Sequence, residues 1–136
     1  MKNTIQSIMS TNLITVREET PIYEAMHLLQ KHRISGMPVV DDENHVVGIL
    51  TEKDVLEVLM DTKIGGKDAV KHYMTRKVIS FTEADSPIDI CEFFIKNSIR
   101  RVPIVKDGKL IGVVSRRDII SFILDINSKV SDYRFS

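Results

Sequence analysis

Two segments of this 136-residue chain carry a hydroxyl and a carboxylate at the same spacing. The first is Gly48-Ile49-Leu50-Thr51-Glu52-Lys53-Asp54, followed by the apolar run Val55 to Met60. The second is Gly112-Val113-Val114-Ser115-Arg116-Arg117-Asp118, followed by Ile119 to Leu124. Each reads as the end of a buried strand and the start of a helix. A hydroxyl at the cap and a carboxylate three residues on satisfy the free N–H groups of a first helical turn. The same groups can hold one small ligand. A carboxylate accepts two hydrogen bonds from a vicinal diol, and a helix N-terminus attracts phosphate. Capping and ligand binding are therefore the two competing uses. Catalysis has less support: no paired acid and base and no activated nucleophile can be argued from this chain. The four histidines and the single cysteine, Cys91, show no metal-ligand spacing.

Arginines distinguish the second segment from the first. Arg116 and Arg117 fall in the first turn of their helix, where the helix dipole disfavours a cation by about 0.3–1 kcal/mol each. Arg100 and Arg101 precede Val102-Pro103, and the fold expected from the repeated elements brings all four to one helix N-terminus. Arginine suits bidentate contact with phosphate, so an anion would offset the repulsion. Salt bridges to exposed carboxylates or an RNA-facing patch are the bland alternatives. The first segment has Ser35, Gly36, Glu52 and Lys53 at the corresponding positions. The site at Ser115 and Asp118 is accordingly expected to bind phosphate better than the one at Thr51 and Asp54. Arginines of the second half can still reach the first site if the halves face each other.

The elements that must position these groups occur twice. Leu13 to Val16 reads as a short strand, and Thr20-Pro21 as a hydroxyl cap with proline at the first helical position. Ala25, Leu28 and Leu29 then recur at helical spacing. Val39-Val40 and Val46 to Leu50 flank a polar turn and read as a β-hairpin. The order strand, helix, strand, strand, helix returns with Val70 and Met74 echoing Ile5 and Met9, Val78-Ile79-Ser80 echoing Leu13-Ile14-Thr15, and Val102-Pro103-Ile104-Val105 echoing Met37-Pro38-Val39-Val40. The expectation is an α+β fold of two β-α-β-β-α repeats about a pseudo-twofold axis, sharing one core because each copy is too small to bury its own. The repeats span 1–62 and 70–125, joined by a polar linker at 63–69 and followed by a tail at 126–136 that is expected to fray. The helices after each hairpin are apolar on more than one face, which predicts a homodimer through them and the helices starting at Thr20 and Asp85.

Composition fits an ordinary globular chain. Apolar residues make up 43% and charged residues 28%, and the 19 Lys and Arg balance the 19 Asp and Glu. That balance argues against nucleic-acid binding through bulk charge. Cys91 sits in a helical pattern among apolar neighbours, as a core thiol does. No apolar run reaches the roughly 18 residues of a membrane span and no secretory signal opens the chain, so the expected location is cytoplasmic.

The doubled unit, the Pro-Val-Val and Pro-Ile-Val strands and the two Gly-apolar-apolar-Thr/Ser-x-x-Asp segments resemble a tandem cystathionine-β-synthase (CBS) domain pair, or Bateman module, over Ile5 to Leu124. The resemblance implies a stand-alone regulatory module that binds AMP, ADP or ATP, with S-adenosylmethionine or NAD as further candidates, and that signals to a partner protein rather than catalysing a reaction. It implies that Asp118 or Asp54 holds the ribose hydroxyls and that Ser115 or Thr51 contacts phosphate. It places the adenine between Ile79 and Ser80 and Val102 and Pro103 in the preferred site, or between Ile14 and Thr15 and Met37 and Pro38 in the weaker one. Arg100, Arg101, Arg116 and Arg117 complete the preferred site. A ligand-free dimerisation scaffold, in which both segments are only caps, and nucleic-acid binding through the arginines are the alternatives.

Overall fold

The computed structural model describes residues 4–60 and 68–135. Its framework is two antiparallel hairpins, β1 (Gly36–Val40) with β2 (Val46–Thr51) and β3 (Arg101–Lys106) with β4 (Lys109–Ser115). Each is interrupted by a bulge at an equivalent place, between Val39 and Val40 and between Ile104 and Val105. The second turn is tight because Asp107 and Gly108 both adopt positive φ, at 53° and 79°, the backbone that a two-residue hairpin turn requires.

The expected strands at Leu13 to Val16 and Val78 to Ser80 shrink to single parallel bridges, Val16 to Val39 and Phe81 to Ile104. Neither can lengthen, because the chain turns immediately after each bridge. The Thr20 hydroxyl accepts from Arg17 N–H at 2.9 Å, and the Asp85 carboxylate accepts from Thr82 N–H at 2.7 Å. Thr20 and Asp85 therefore close turns rather than cap helices. Helix α2 spans Ile22–His32, with Pro21 at its N-cap. Helix α4 spans Pro87–Lys96 and is capped by Ser86 with Asp89. Ile22, Ala25 and Leu29 on α2, and Pro87, Ile90 and Phe94 on α4, are the buried positions, at the spacing of one helical face.

The single shared core is replaced by two cores and a smaller junction. Val16, Ile22, Ala25, Leu29, Met37, Val39, Leu50 and Val55 form the first, and Ile90, Phe94, Val102, Ile104, Val114 and Ile119 lie in the second. The halves exchange their leaders. Short helix α1 (Ile5–Ile8) buries Ile5 in the second core, while Val70 and Met74, in and after a 3₁₀ turn at Val70–His72, are buried in the first. Backbone bonds fix both crossings: Ser10 and Val113 exchange N–H···O bonds of 2.8 and 3.0 Å, and Ile49 and Thr75 exchange two of 2.9 Å. Val40, Leu110 and Val113 join the halves at the axis. There the hairpin turns meet through Val46 N–H to Gly108 C=O and Leu110 N–H to Asn44 C=O.

Helix α3 (Glu52–Met60) follows β2, and α5 (Arg116–Phe135) follows β4. The tail expected to fray instead continues α5 to Phe135, with Lys129 paired to Asp125 one turn back at 3.0 Å. Of the expected linker, 63–67 lies outside the described residues; Asp68 C=O accepts from Ile22 N–H, and so tethers the start of the second repeat to α2. No helix among the described residues is long and apolar enough to cross a membrane.

Candidate functional site

Both hydroxyl–carboxylate segments form reciprocal caps. Thr51 Oγ1 accepts from Asp54 N–H at 3.2 Å, and Asp54 Oδ2 accepts from Thr51 N–H at 2.9 Å. Ser115 Oγ accepts from Asp118 N–H at 3.2 Å, and Asp118 Oδ2 accepts from Ser115 N–H at 2.8 Å and from Ser115 Oγ at 3.0 Å. Each helix start is pinned to its own hairpin: Glu52 N–H donates to Ser35 C=O and Arg116 N–H to Arg100 C=O. The local sequence thus explains both helix starts. The two carboxylates differ in their remaining contacts. Among the described residues, Asp54 Oδ1 holds only a long bond from Thr75 Oγ1, at 3.4 Å, and Asp54 opens onto a cavity.

This cavity, of about 450 Å³, lies between the halves. Its wall from the first half includes Gly36, Met37, Pro38, Thr51, Lys53 and Asp54. The facing wall includes Thr75, Lys77, Ile79, Arg100, Arg101, Val102 and Pro103. The expected sites are thereby recombined. The α3 start comes with the strand and arginines of the other repeat, because the leader exchange lays Thr75 to Ile79 across β2. Ser80 is exposed and outside the lining; Ile14 packs against the first core and Thr15 is half-buried, also outside it.

The four arginines meet along the backbone but part at their side chains. Arg100 and Arg101 line the cavity. Arg116 turns to α4, where its Nη2 donates to Phe94 and Asn97 carbonyls and its guanidinium stacks over the Phe94 ring. Arg117 is exposed and, with Ser115, Arg116 and Asp118, lies outside the lining. Lys77 is the cavity cation that sequence reasoning missed. Its repeat equivalent is Asn12, and no local pattern marks it; only the exchange of leaders brings it to the site.

Lys53, Lys77, Arg100 and Arg101 line the cavity with Glu52, Asp54 and Glu57, and none of these cations makes an ion pair among the described residues. Burial pulls the Arg101 guanidinium below the usual arginine range, opposed by the charge of Asp118. Arg101 Nε is buried without a hydrogen-bond partner among the described residues. A site with free guanidinium donors, a helix N-terminus, a half-buried carboxylate and walls of Met37, Ile79 and Pro103 can take an anion, a diol and a flat apolar ring together. Among the described residues no group of three His, Cys, Asp or Glu side chains is placed to hold a metal ion.

Comparison with known proteins places the architecture. An uncharacterized protein of Methanocaldococcus jannaschii is 34% identical over 119 residues, which cover 88% of this chain and 42% of that protein. The chain thus spans less than half of that relative's length. The crystal structure of CBSX2 in complex with AMP, a protein of Arabidopsis thaliana, is similar with a TM-score of 0.82 at 28% identity, covering 91% of this chain and 98% of that one. The CBS domain pair of protein MJ0100, in complex with 5′-methylthioadenosine and S-adenosyl-L-methionine, gives 0.77 at 30% identity, covering 88% and 94%. The CBS domain model matches twice, over residues 5–61 and 70–125. With both repeats matched and the overall fold similar to these structures, the chain belongs to the CBS domain family, as a tandem pair forming one Bateman module.

Proposed function

We propose that this protein is a regulatory module that binds an adenosine nucleotide in the cavity between its halves. The observation that carries the reading is the set of unpaired cations, Lys53, Lys77, Arg100 and Arg101, gathered with Asp54 at the N-terminus of α3. Asp54 receives the ribose hydroxyls through the carboxylate oxygen that the cap leaves weakly bonded. Arg100, Arg101, Lys77 and the α3 N–H groups receive phosphate. Met37, Pro38, Ile79 and Pro103 enclose the base. Support comes from the AMP complex of CBSX2 and the adenosine-ligand complexes of the MJ0100 pair. The cation set favours AMP, ADP or ATP over S-adenosylmethionine or 5′-methylthioadenosine, which carry no phosphate. The role is sensing rather than catalysis: the ligand shifts the relative populations of two arrangements of the halves and so changes a surface offered to a partner.

Calorimetry with AMP, ADP, ATP, S-adenosylmethionine and NAD tests this directly. Saturable binding of a phosphorylated ligand is expected. Asp54→Ala should weaken it by about tenfold or more, as loss of a charged hydrogen-bond acceptor does, and Arg100→Gln should weaken AMP while sparing adenosine. A second reading, a ligand-free scaffold, is favoured by the complete capping of both helix starts. Under it the whole panel stays silent and Asp54→Ala lowers only the melting temperature.

A further inference from the structure

Two stretches cross between the halves, and only one of them is packed along its length. The stretch 11–15 runs from Ser10, bonded to Val113, to Val16, bonded to Pro38 and Val40; 76–80 runs from Thr75, bonded to Ile49, to Phe81, bonded to Pro103 and Val105. No backbone group within either stretch makes a backbone hydrogen bond among the described residues. Packing therefore decides how firmly each is held. Leu13 packs against the junction and Ile14 against the first core. Their equivalents, Val78 and Ile79, belong to no apolar cluster among the described residues, and Ile79 is 43% exposed. The second crossing alternates as an extended chain does. Thr75, Lys77 and Ile79 line the cavity, while Arg76 lies outside the lining and pairs with Glu18 at 3.6 Å.

A segment with neither backbone bonds nor apolar packing belongs to the low-stability end of a fold. We infer that 76–80 is a strap that the ligand orders: occupancy of the cavity covers Ile79 and engages Lys77, giving the second crossing the packing that Leu13 and Ile14 give the first. This rests on the nucleotide reading of the cavity. The ordered strap fixes how far the Thr75–Ile49 bonds of one half stand from the Phe81–Pro103 bond of the other, so occupancy is transmitted to the arrangement of the halves. The first crossing is held without a ligand. Ordering the strap also costs binding free energy, so affinity depends on Val78, which does not line the cavity.

The test compares Val78→Gly with Val78→Ala, each titrated with AMP and with adenosine. Both variants lose the valine side chain beyond Cβ, and they differ chiefly in backbone freedom. Val78→Gly should bind either ligand about threefold more weakly than Val78→Ala, as the greater freedom of glycine predicts. Without ligand the two should melt alike, because a loose strap has little order to lose. Equal affinities, or a ligand-free melting temperature that falls with Val78→Gly, mean a strap already ordered in the free protein and overturn the proposal. Hydrogen exchange of the wild type gives a second reading. Saturating AMP should slow the amides of 76–80 by about tenfold or more and leave 11–15 unchanged. AMP binding with no slowing at 76–80, or with equal slowing in both crossings, overturns this inference and leaves the nucleotide reading standing. Failure of the wild type to bind AMP overturns that reading, and this inference with it.

Discussion

Arg116 begins α5 with its guanidinium donating to the carbonyl oxygens of Phe94, at 3.0 Å, and Asn97, at 2.7 Å, while its charge lies 5.9 Å from the centre of the Phe94 ring. These carbonyls belong to the last turn of α4 and its C-cap, where the helix carries its partial negative charge. The unfavourable place of a cation at one helix start is thus offset at another helix end. Arg116→Ala removes two carbonyl partners and a ring contact, and should destabilise the fold by about 1–2 kcal/mol. Urea unfolding measures that loss. AMP affinity should stay within error, because Arg116 does not line the cavity; a large fall in affinity with unaltered stability would return Arg116 to the phosphate. Sequence alone suggests that four arginines face one anion. Their backbone neighbourhood is readable from the repeat, but the direction of a long side chain depends on which carbonyls a neighbouring helix leaves free, and no spacing encodes that.

Leader exchange is the device that joins the elements, and two glycines make room for it. A side chain at Gly112 would place its Cβ against Met9 Sδ, Cγ (2.8 Å) and Cβ (3.2 Å), with no backbone among its three nearest atoms. A side chain at Gly48 would meet Met74 Sδ at 2.9 Å and also the Thr75 carbonyl at 3.0 Å. Gly112→Ala should therefore cost about 1–3 kcal/mol, the usual penalty of overpacking, and Met9→Ala should recover much of it in the double variant. Gly48→Ala should cost as much, yet Met74→Ala should recover less, because Thr75 is held by two 2.9 Å backbone bonds to Ile49 and its carbonyl cannot withdraw. Thermal unfolding of the two cycles separates them; equal rescue at both glycines would contradict the close backbone approach at Gly48. The pairing of Met9 with Met74, and of Gly48 with Gly112, is visible in the sequence as a repeat. The repeat does not say that each methionine serves the other half, because a repeat records equivalence and carries no information on which copy packs with which. The cavity inherits the same ambiguity. Thr51 and Asp54 are identifiable as a ligand-competent cap, but their partnership with Arg100, Arg101 and Lys77 exists only once the leaders have crossed.

At the scale of the whole molecule the surface is not yet complete. Leu56, Leu59 and Met60 on α3 are 70%, 88% and 77% exposed, and Ile120, Ile123 and Leu124 on α5 are each more than half exposed. These helices follow the two hairpins at equivalent places, so their apolar faces are related by the same pseudo-twofold as the rest of the fold. A surface with that internal symmetry allows a closed twofold contact, in which α3 of one copy meets α5 of another while α5 meets α3 in return. Exposed large apolar side chains concentrated on two such helices exceed what a monomer ordinarily leaves in water. A homodimer is therefore the expected state, as the amphipathic excess of both helices in the sequence already suggests. Light scattering on the eluting protein should return twice the mass of one chain. Leu59→Lys places a charge where the side chain is most exposed, and should raise the dimer dissociation constant by about tenfold to a hundredfold, as disruption of a central contact does. Its melting temperature at dilutions where the wild type is also monomeric should be unchanged, since Leu59 contributes nothing to either core. A wild type that remains monomeric at high concentration would assign these faces to another protein, and Leu59→Lys would then test the capture of that partner instead.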